Sequence, residues 1–199
     1  MFFLHIHFFV WRVIMRNFIL GDDVFVTNAC ILTVFFGIVI FTIFSIMRER
    51  KITDDKSTAI IDVIVGVSFG IYILIVLYAT LGCRNEYAAN RLSLKPFAIY
   101  KSLMSRNEKT SVKAFHDIVQ NILFFIPFGF YLQYYGYKKV KWYQALLMTM
   151  SVSIVIETTQ YITRLGYTQI DDIIHNTLSG CIGFFLAGEI LNLIKNKKE

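Results

Sequence analysis

The sequence predicts an all-α membrane protein, a polytopic helical bundle of about five transmembrane helices preceded by an N-terminal interfacial helix. Composition is the first reason. Hydrophobic residues make up 56% of the 199 positions and charged residues 17%, with a mean hydropathy of +0.56, whereas a soluble domain carries about 25% charged residues. The second reason is arrangement. The apolar residues come in runs approaching the roughly 20 residues that cross a bilayer as a helix. Together these runs use most of the chain and leave no length for a soluble domain.

Residues 1–20 are aromatic and apolar but carry Arg12 and Arg16, as an amphipathic helix lying in the interface would, with Trp11 near the headgroups. They lack the charged leading region and the small-residue cleavage site of a signal peptide. Spans are expected at residues 24–47, 60–81, 118–136, 142–163 and 173–194. Gly66 and Gly70 in the second span, and Ser179, Gly183 and Ala187 in the last, read as small-residue faces for close helix packing. Pro127 in "FFIPFGF" is expected to kink its helix and free a carbonyl one turn earlier, near Leu123. Cys30, Cys83 and Cys181 lie far apart with no C-x-x-C spacing, so they read as small apolar side chains.

The net charge of +6 is assigned to membrane topology and anionic lipid, not to nucleic acid. Lys and Arg divide equally between the two sides, so the short loops close to span ends decide orientation. They place the N-terminus outside and "RERKITDDKSTA", "YKKVK" and "KNKKE" in the cytoplasm. The segment from Gly82 to His116 then lies outside, and its seven cations are expected to meet an anion there.

The stretch "ETTQYITRLGYTQIDDIIHN", Glu157 to Asn176, puts carboxylates and amides at the ends of two apolar runs. In an alternating topology the start of the third span, the end of the fourth and the start of the fifth share one side with Arg84 and the basic segment. Ser153, Glu157, Gln160 and Arg164 recur at i, i+4, i+7 and i+11, one stripe of a helix. Asp172, His175 or Asn176, and Ser179 repeat it, as do Asp117 and Asn121. Glu157 would lie roughly 9 Å below the end of its span. Ionisable residues in spans pair with one another or mark a pathway. In one reading, Glu157, Arg164 and the Asp171–Asp172 pair only glue three helices. In the other they floor a ligand pocket. Because histidine as a residue type titrates near neutrality, His175 or His116 is a candidate general base, but with the carboxylates they match no zinc spacing, so no metal and no cofactor is expected. His5 and His7 read as interfacial side chains.

"NILFFIPFGF" followed by "IETTQ", Arg164 and "DDIIHNTLSGCIGFFLAG" resembles the VanZ-like family, associated with teicoplanin resistance in Gram-positive bacteria. "ATLGCR" and "LKPF" are similar to two further family segments. The resemblance divides the chain into residues 1–59, an added interfacial helix and span, and residues 60–194, the family's membrane domain. It implies that Arg84, Asn121, Glu157, Gln160, Arg164, Asp171, Asp172 and Asn176 form the family's polar set. Ser93 stands where the family has Asn, so no role of that amide is carried over to this chain.

The function the resemblance implies is tolerance of lipoglycopeptide antibiotics by a multi-pass cell-membrane protein. An outward pocket would engage the antibiotic or an anionic envelope lipid such as a polyprenyl-linked cell-wall precursor. Arg84, Arg91 and Lys95 would meet its phosphate or carboxylate. Membrane lipids are the other expected partners. The alternative is a membrane-embedded enzyme acting on a lipid-linked substrate, with Glu157 or Asp172 as general acid/base and Arg164 stabilising charge. Five spans without inverted repeats argue against a transporter.

Overall fold

The computed structural model describes residues 55–82, 91–136 and 140–196. The expected interfacial helix, the span at 24–47, Cys30, Cys83 and Arg84 lie outside the described residues. Helix α1 (Asp55–Leu77) is rich in Ile and Val on every face and runs into a π-helical turn, Tyr78–Gly82. A short strand β1 (Leu92–Ser93) and a short helix α2 (Ala98–Leu103) follow. Then come α3 (Glu108–Gly136), α4 (Trp142–Thr163), strand β2 (Thr168–Gln169) and α5 (Ile170–Asn196).

The fold is an all-α bundle. Four stretches, Ala59–Leu81, Glu108–Tyr135, Trp142–Thr163 and Ile170–Leu193, are long and apolar enough to cross a membrane. The strands β1 and β2 add one parallel bridge, with Leu92 opposite Thr168 and Ser93 opposite Gln169.

Helix α3 starts well before the expected residue 118. The Asn107 side chain accepts the Thr110 N–H at 3.3 Å and caps its first turn. Glu108 complements the positive end of the helix dipole, and the Ser111 hydroxyl ties the turn to the Leu103 carbonyl at 2.6 Å. The helix runs through Pro127 without a break. The carbonyl reached from outside is that of Phe124, one residue on from the expected Leu123, and it accepts the Tyr72 hydroxyl of α1.

The C-terminal end of α4 differs more. Arg164 takes a left-handed conformation (φ 59°), and the N–H groups of Arg164 and Leu165 close on the carbonyls of Tyr161 and Gln160. Such a cap satisfies the last carbonyls and ends a helix; Gly166, also at positive φ, leads the chain away. Arg164 therefore leaves the stripe that Ser153, Glu157 and Gln160 form, and it stands exposed.

Helices α3 and α5 form the most extensive contact, and α4 packs on α5. A methyl group on Gly129 would overlap the Gly180 carbonyl and the Phe184 nitrogen, and one on Gly183 would overlap the Ile126 carbonyl. The two backbones touch there. Ser179 and Ala187 continue the same buried face of α5, so the expected small-residue stripe is in place. On α1 the outcome is split: a methyl on Gly66 would meet the Tyr135 hydroxyl of α3 at 3.3 Å, whereas one on Gly70 meets nothing within 4 Å among the described residues. Phe69 also joins α1 to α3 by packing on Tyr131, with ring centroids 4.7 Å apart, while Ser68 and the Tyr131 hydroxyl share a hydrogen bond of 2.9 Å.

Overpacking a filled site typically costs about 1–3 kcal/mol. Gly129→Ala and Gly183→Ala are each expected to destabilise the detergent-purified protein by an amount in that range, seen as a lowered thermal midpoint. Gly70→Ala should leave it unchanged or slightly raised, since alanine is the better helix former. Equal midpoints for all three variants would remove the α3–α5 contact as the tight one.

Candidate functional site

The polar residues of α3, α4 and α5 do meet at one end of the bundle, and nearly all are buried. Glu157 is 4% exposed, Gln160 3%, Asp171 2%, Asp172 5%, Asn176 3% and Asn121 7%. Helical spacing explains the gathering: Ser153, Glu157 and Gln160 occupy one face of α4, and that face packs on the first turns of α5.

The hydrogen bonds then assign tasks. Asn121 donates to Asp172 Oδ1 at 2.6 Å, joining α3 to α5. Asn176 donates to Ser153 Oγ at 2.9 Å, joining α5 to α4. Gln160 donates to the Thr80 carbonyl at 2.8 Å, in the π-helical turn that ends α1. Glu157 Oε2 accepts the Gln169 N–H at 3.1 Å, and its main-chain carbonyl accepts the Thr168 hydroxyl at 3.3 Å. This pins β2 against α4. The bridge continues outward through the Thr168 N–H, which donates to the Arg91 carbonyl at 3.1 Å.

Asp171 is committed to the main chain. Its Oδ1 accepts the Phe97 N–H, and its Oδ2 the Ile99 N–H at 2.9 Å. Phe97 itself is left-handed (φ 63°) at the start of α2. A single carboxylate thereby caps α2 and holds the segment from Arg91 to Met104 as a strap across the end of the bundle. Tyr100 on this strap reaches His175 Nε2 at 3.0 Å. His175 Nδ1 and Asn176 Oδ1 are buried and make no hydrogen bond among the described residues.

The expected cations occupy different ground. Arg91, Lys95 and Arg164 are all exposed, as are Lys101, Arg106, Lys109 and Lys113 on the strap and the start of α3. Helix-ending at Thr163 turns Arg164 outward, so it does not neutralise a buried carboxylate between helices as the gluing role required. Arg84 lies outside the described residues. The result is a layered end: carboxylates and amides inside, a cationic collar outside, with Glu108 the exposed carboxylate among the described residues of that collar.

One cleft of about 230 Å³ opens at this end, lined by Leu92 and Leu94 of the strap, Ile154, Glu157, Thr158 and Tyr161 of α4, Thr168 and Gln169 of β2, and Ile170 and Ile173 of α5. Of the expected site residues, Glu157 lines it. Asn121, Asp172 and Asn176 belong to the packed layer and not to this cleft. Sequence reasoning placed Arg91 and Lys95 of the strap at the site but missed that the strap's main chain is held by Asp171. "LKPF" marked the segment, but main-chain N–H donors leave no signature in a side-chain pattern.

Removing Asp171 takes the acceptor from two N–H groups, and hydrogen bonds to charged groups contribute about 1.5–3 kcal/mol each. Asp171→Ala should lower stability by about 3 kcal/mol and open the chain between residues 91 and 104 to limited proteolysis. Arg164→Ala should do neither. A strap that stays protease-resistant in Asp171→Ala would show that it is held by something else.

A family model described as VanZ/LLP1 matches residues 64–192. "Protein VanZ" of Enterococcus faecium is 29% identical to the chain over 114 residues, 57% of this chain and 62% of that protein. The chain thus covers less than two thirds of the length of this curated relative. No solved structure matches it.

Proposed function

The chain belongs to the VanZ/LLP1 family, and on that premise we propose that it is a multi-pass cell-membrane protein that lowers sensitivity to lipoglycopeptide antibiotics of the teicoplanin type. It does so by engaging an amphiphile at the outer end of its bundle, either the antibiotic or an anionic cell-envelope lipid. The observation that carries this reading is the sorting of charge at that end. The exposed groups there are predominantly cations, among them Arg91, Lys95, Lys101 and Arg164, while Glu157, Asp171 and Asp172 are withdrawn into the packed layer. A collar of that sign attracts anionic headgroups, each nearby cation contributing about 1 kcal/mol.

Lipoglycopeptides carry an acyl tail that holds them at the outer leaflet, and vancomycin lacks one. A protein made largely of apolar helices acts best on a molecule confined to the same layer. Expression in a susceptible Gram-positive host should therefore raise resistance to teicoplanin far more than to vancomycin. Asp172→Asn deletes a charge from the polar layer but keeps an oxygen able to accept from Asn121, so it should weaken the effect while protein remains in the membrane. Equal protection against both antibiotics, or full protection by a well-expressed Asp172→Asn protein, counts against the reading. Orientation has its own check. Reporter fusions after Lys141 and at the C-terminus should read cytoplasm, and fusions between residues 91 and 107 should read exterior.

The cleft favours one form of the enzymatic alternative, since Glu157 borders it and Asp172 does not. A general acid/base must reach its substrate, which makes Glu157 the better candidate of the two. Glu157→Gln that keeps ligand binding but abolishes resistance supports catalysis; loss of both together supports binding alone.

A further inference from the structure

The cleft has a shape that the charge collar does not explain. Its walls are mostly apolar: Leu92 and Leu94 on one side, Ile154 and Tyr161 on the other, and Ile170 and Ile173 from α5, with Glu157, Thr158, Thr168 and Gln169 as the polar groups of the lining. Leu92, Leu94, Ile154 and Tyr161 are also 46%, 66%, 42% and 38% exposed, so the cleft opens to the surroundings of the bundle and not into its core. From Tyr161 to Ile154 the α4 wall descends two turns, roughly 10 Å at 1.5 Å per residue. At about 230 Å³ it is smaller than the roughly 300–1,000 Å³ of a drug-sized site. A whole glycopeptide does not fit; part of a hydrocarbon chain does.

The strap supplies the other half of an amphiphile site. The lining takes Leu92 and Leu94 and passes over Arg91, Ser93 and Lys95, the period-2 alternation of an extended segment. At a membrane interface such a segment turns leucines toward hydrocarbon and cations toward the headgroup layer. Lys95 is exposed on that outer side, and Lys101 lies exposed on α2, which Asp171 caps.

We infer that the cleft beneath the strap seats the hydrocarbon chain of an anionic membrane lipid whose phosphate is held above it by Lys95 and its cationic neighbours. The inference rests on the anionic-lipid form of the function proposed above, and it adds the chain seat, the class of headgroup and the route of entry. The lipid enters sideways from the outer leaflet, between the strap and α4, without crossing the packed polar layer. Asp171 acts as a positioning residue, keeping the strap at the height where both ends of the lipid are met.

The test uses the full-length protein in phosphocholine nanodiscs and two photoactivatable probes with identical diazirine-bearing chains. One carries a phosphate monoester and the other phosphocholine. Label is expected on residues 92–94 and 154–161, about fivefold more from the phosphate probe, the ratio that one surface cation provides. Lys95→Gln should bring the two probes close to parity. Ile154→Trp fills the cleft and should remove most label from both stretches. Leu94→Trp, at a more exposed position, provides the same block should Ile154→Trp fail to fold. Label spread evenly over the lipid-facing helices, equal labelling by the two probes, or undiminished labelling of a folded Trp variant would overturn the inference. So would labelling of these residues by an acylated glycopeptide probe alone. Teicoplanin resistance in cells is scored separately, so selective labelling without any resistance phenotype sinks the proposed function and leaves the lipid site standing.

Discussion

The contact of two backbones at Gly129 and Gly183 governs the rest of the architecture. Lipid tails are as apolar as leucine, so helices in a bilayer gain little from hiding apolar side chains and depend on close packing and on polar contacts. Glycine lets α3 and α5 meet at the main chain, and Gly180 receives the Thr149 side chain of α4 in the same region. Thr149 belongs to a row with Ala145 and Ser153, each 0% exposed, which brings α4 in equally close. With three helices locked in register, Asn121 faces Asp172 and Asn176 faces Ser153. The polar layer inherits its geometry from the glycine contact below it.

That layer answers a demand from the main chain. Away from water, every N–H and C=O needs a partner, and helices supply these internally while irregular segments do not. Among the described residues, the end of the bundle contains three pieces outside regular α-helix: the π-helical turn after α1, the strap, and the link between α4 and α5. Gln160 takes a carbonyl of the first, Asp171 two N–H groups of the second, and Glu157 an N–H of the third. Residues that look like a ligand set in the sequence are thus partly spent on backbone. The structural and ligand-binding readings describe the same residues at two distances from the surface, with Asp171 and Gln160 deep in the first role and Glu157 at the boundary of the second.

The burial of three carboxylates below a cationic collar also separates stability from recognition. Charges inside cost desolvation unless hydrogen-bonded, and the carboxylates here accept from Asn121, Gln169 and the strap. Charges outside cost little and act at the range of the headgroup layer. On the proposed function, changing a collar cation should alter lipid or antibiotic engagement with small effect on folding, whereas changing a buried acceptor alters the shape of the end itself.

Hydropathy and the 3.6-residue period are local properties, and they were enough to predict an all-α bundle, the four described helices and the convergence of Glu157, Gln160, Asp171, Asp172, Asn121 and Asn176 at one end. Alternation of direction brings those ends together whatever the packing. The same periodicity carried Arg164 one residue beyond its helix, although Gly166 two positions on is the kind of residue that follows a helix stop. The fate of Gly129 against Gly180 and Gly183, the silence of Gly70, the bond from Tyr100 to His175 and the capping of α2 by Asp171 depend on partners that are 51 to 75 positions apart or on which face of a helix another helix chose. Such pairings are set by the tertiary arrangement because a main-chain N–H looks the same in every residue, and only its position in the folded chain decides which carboxylate it will meet.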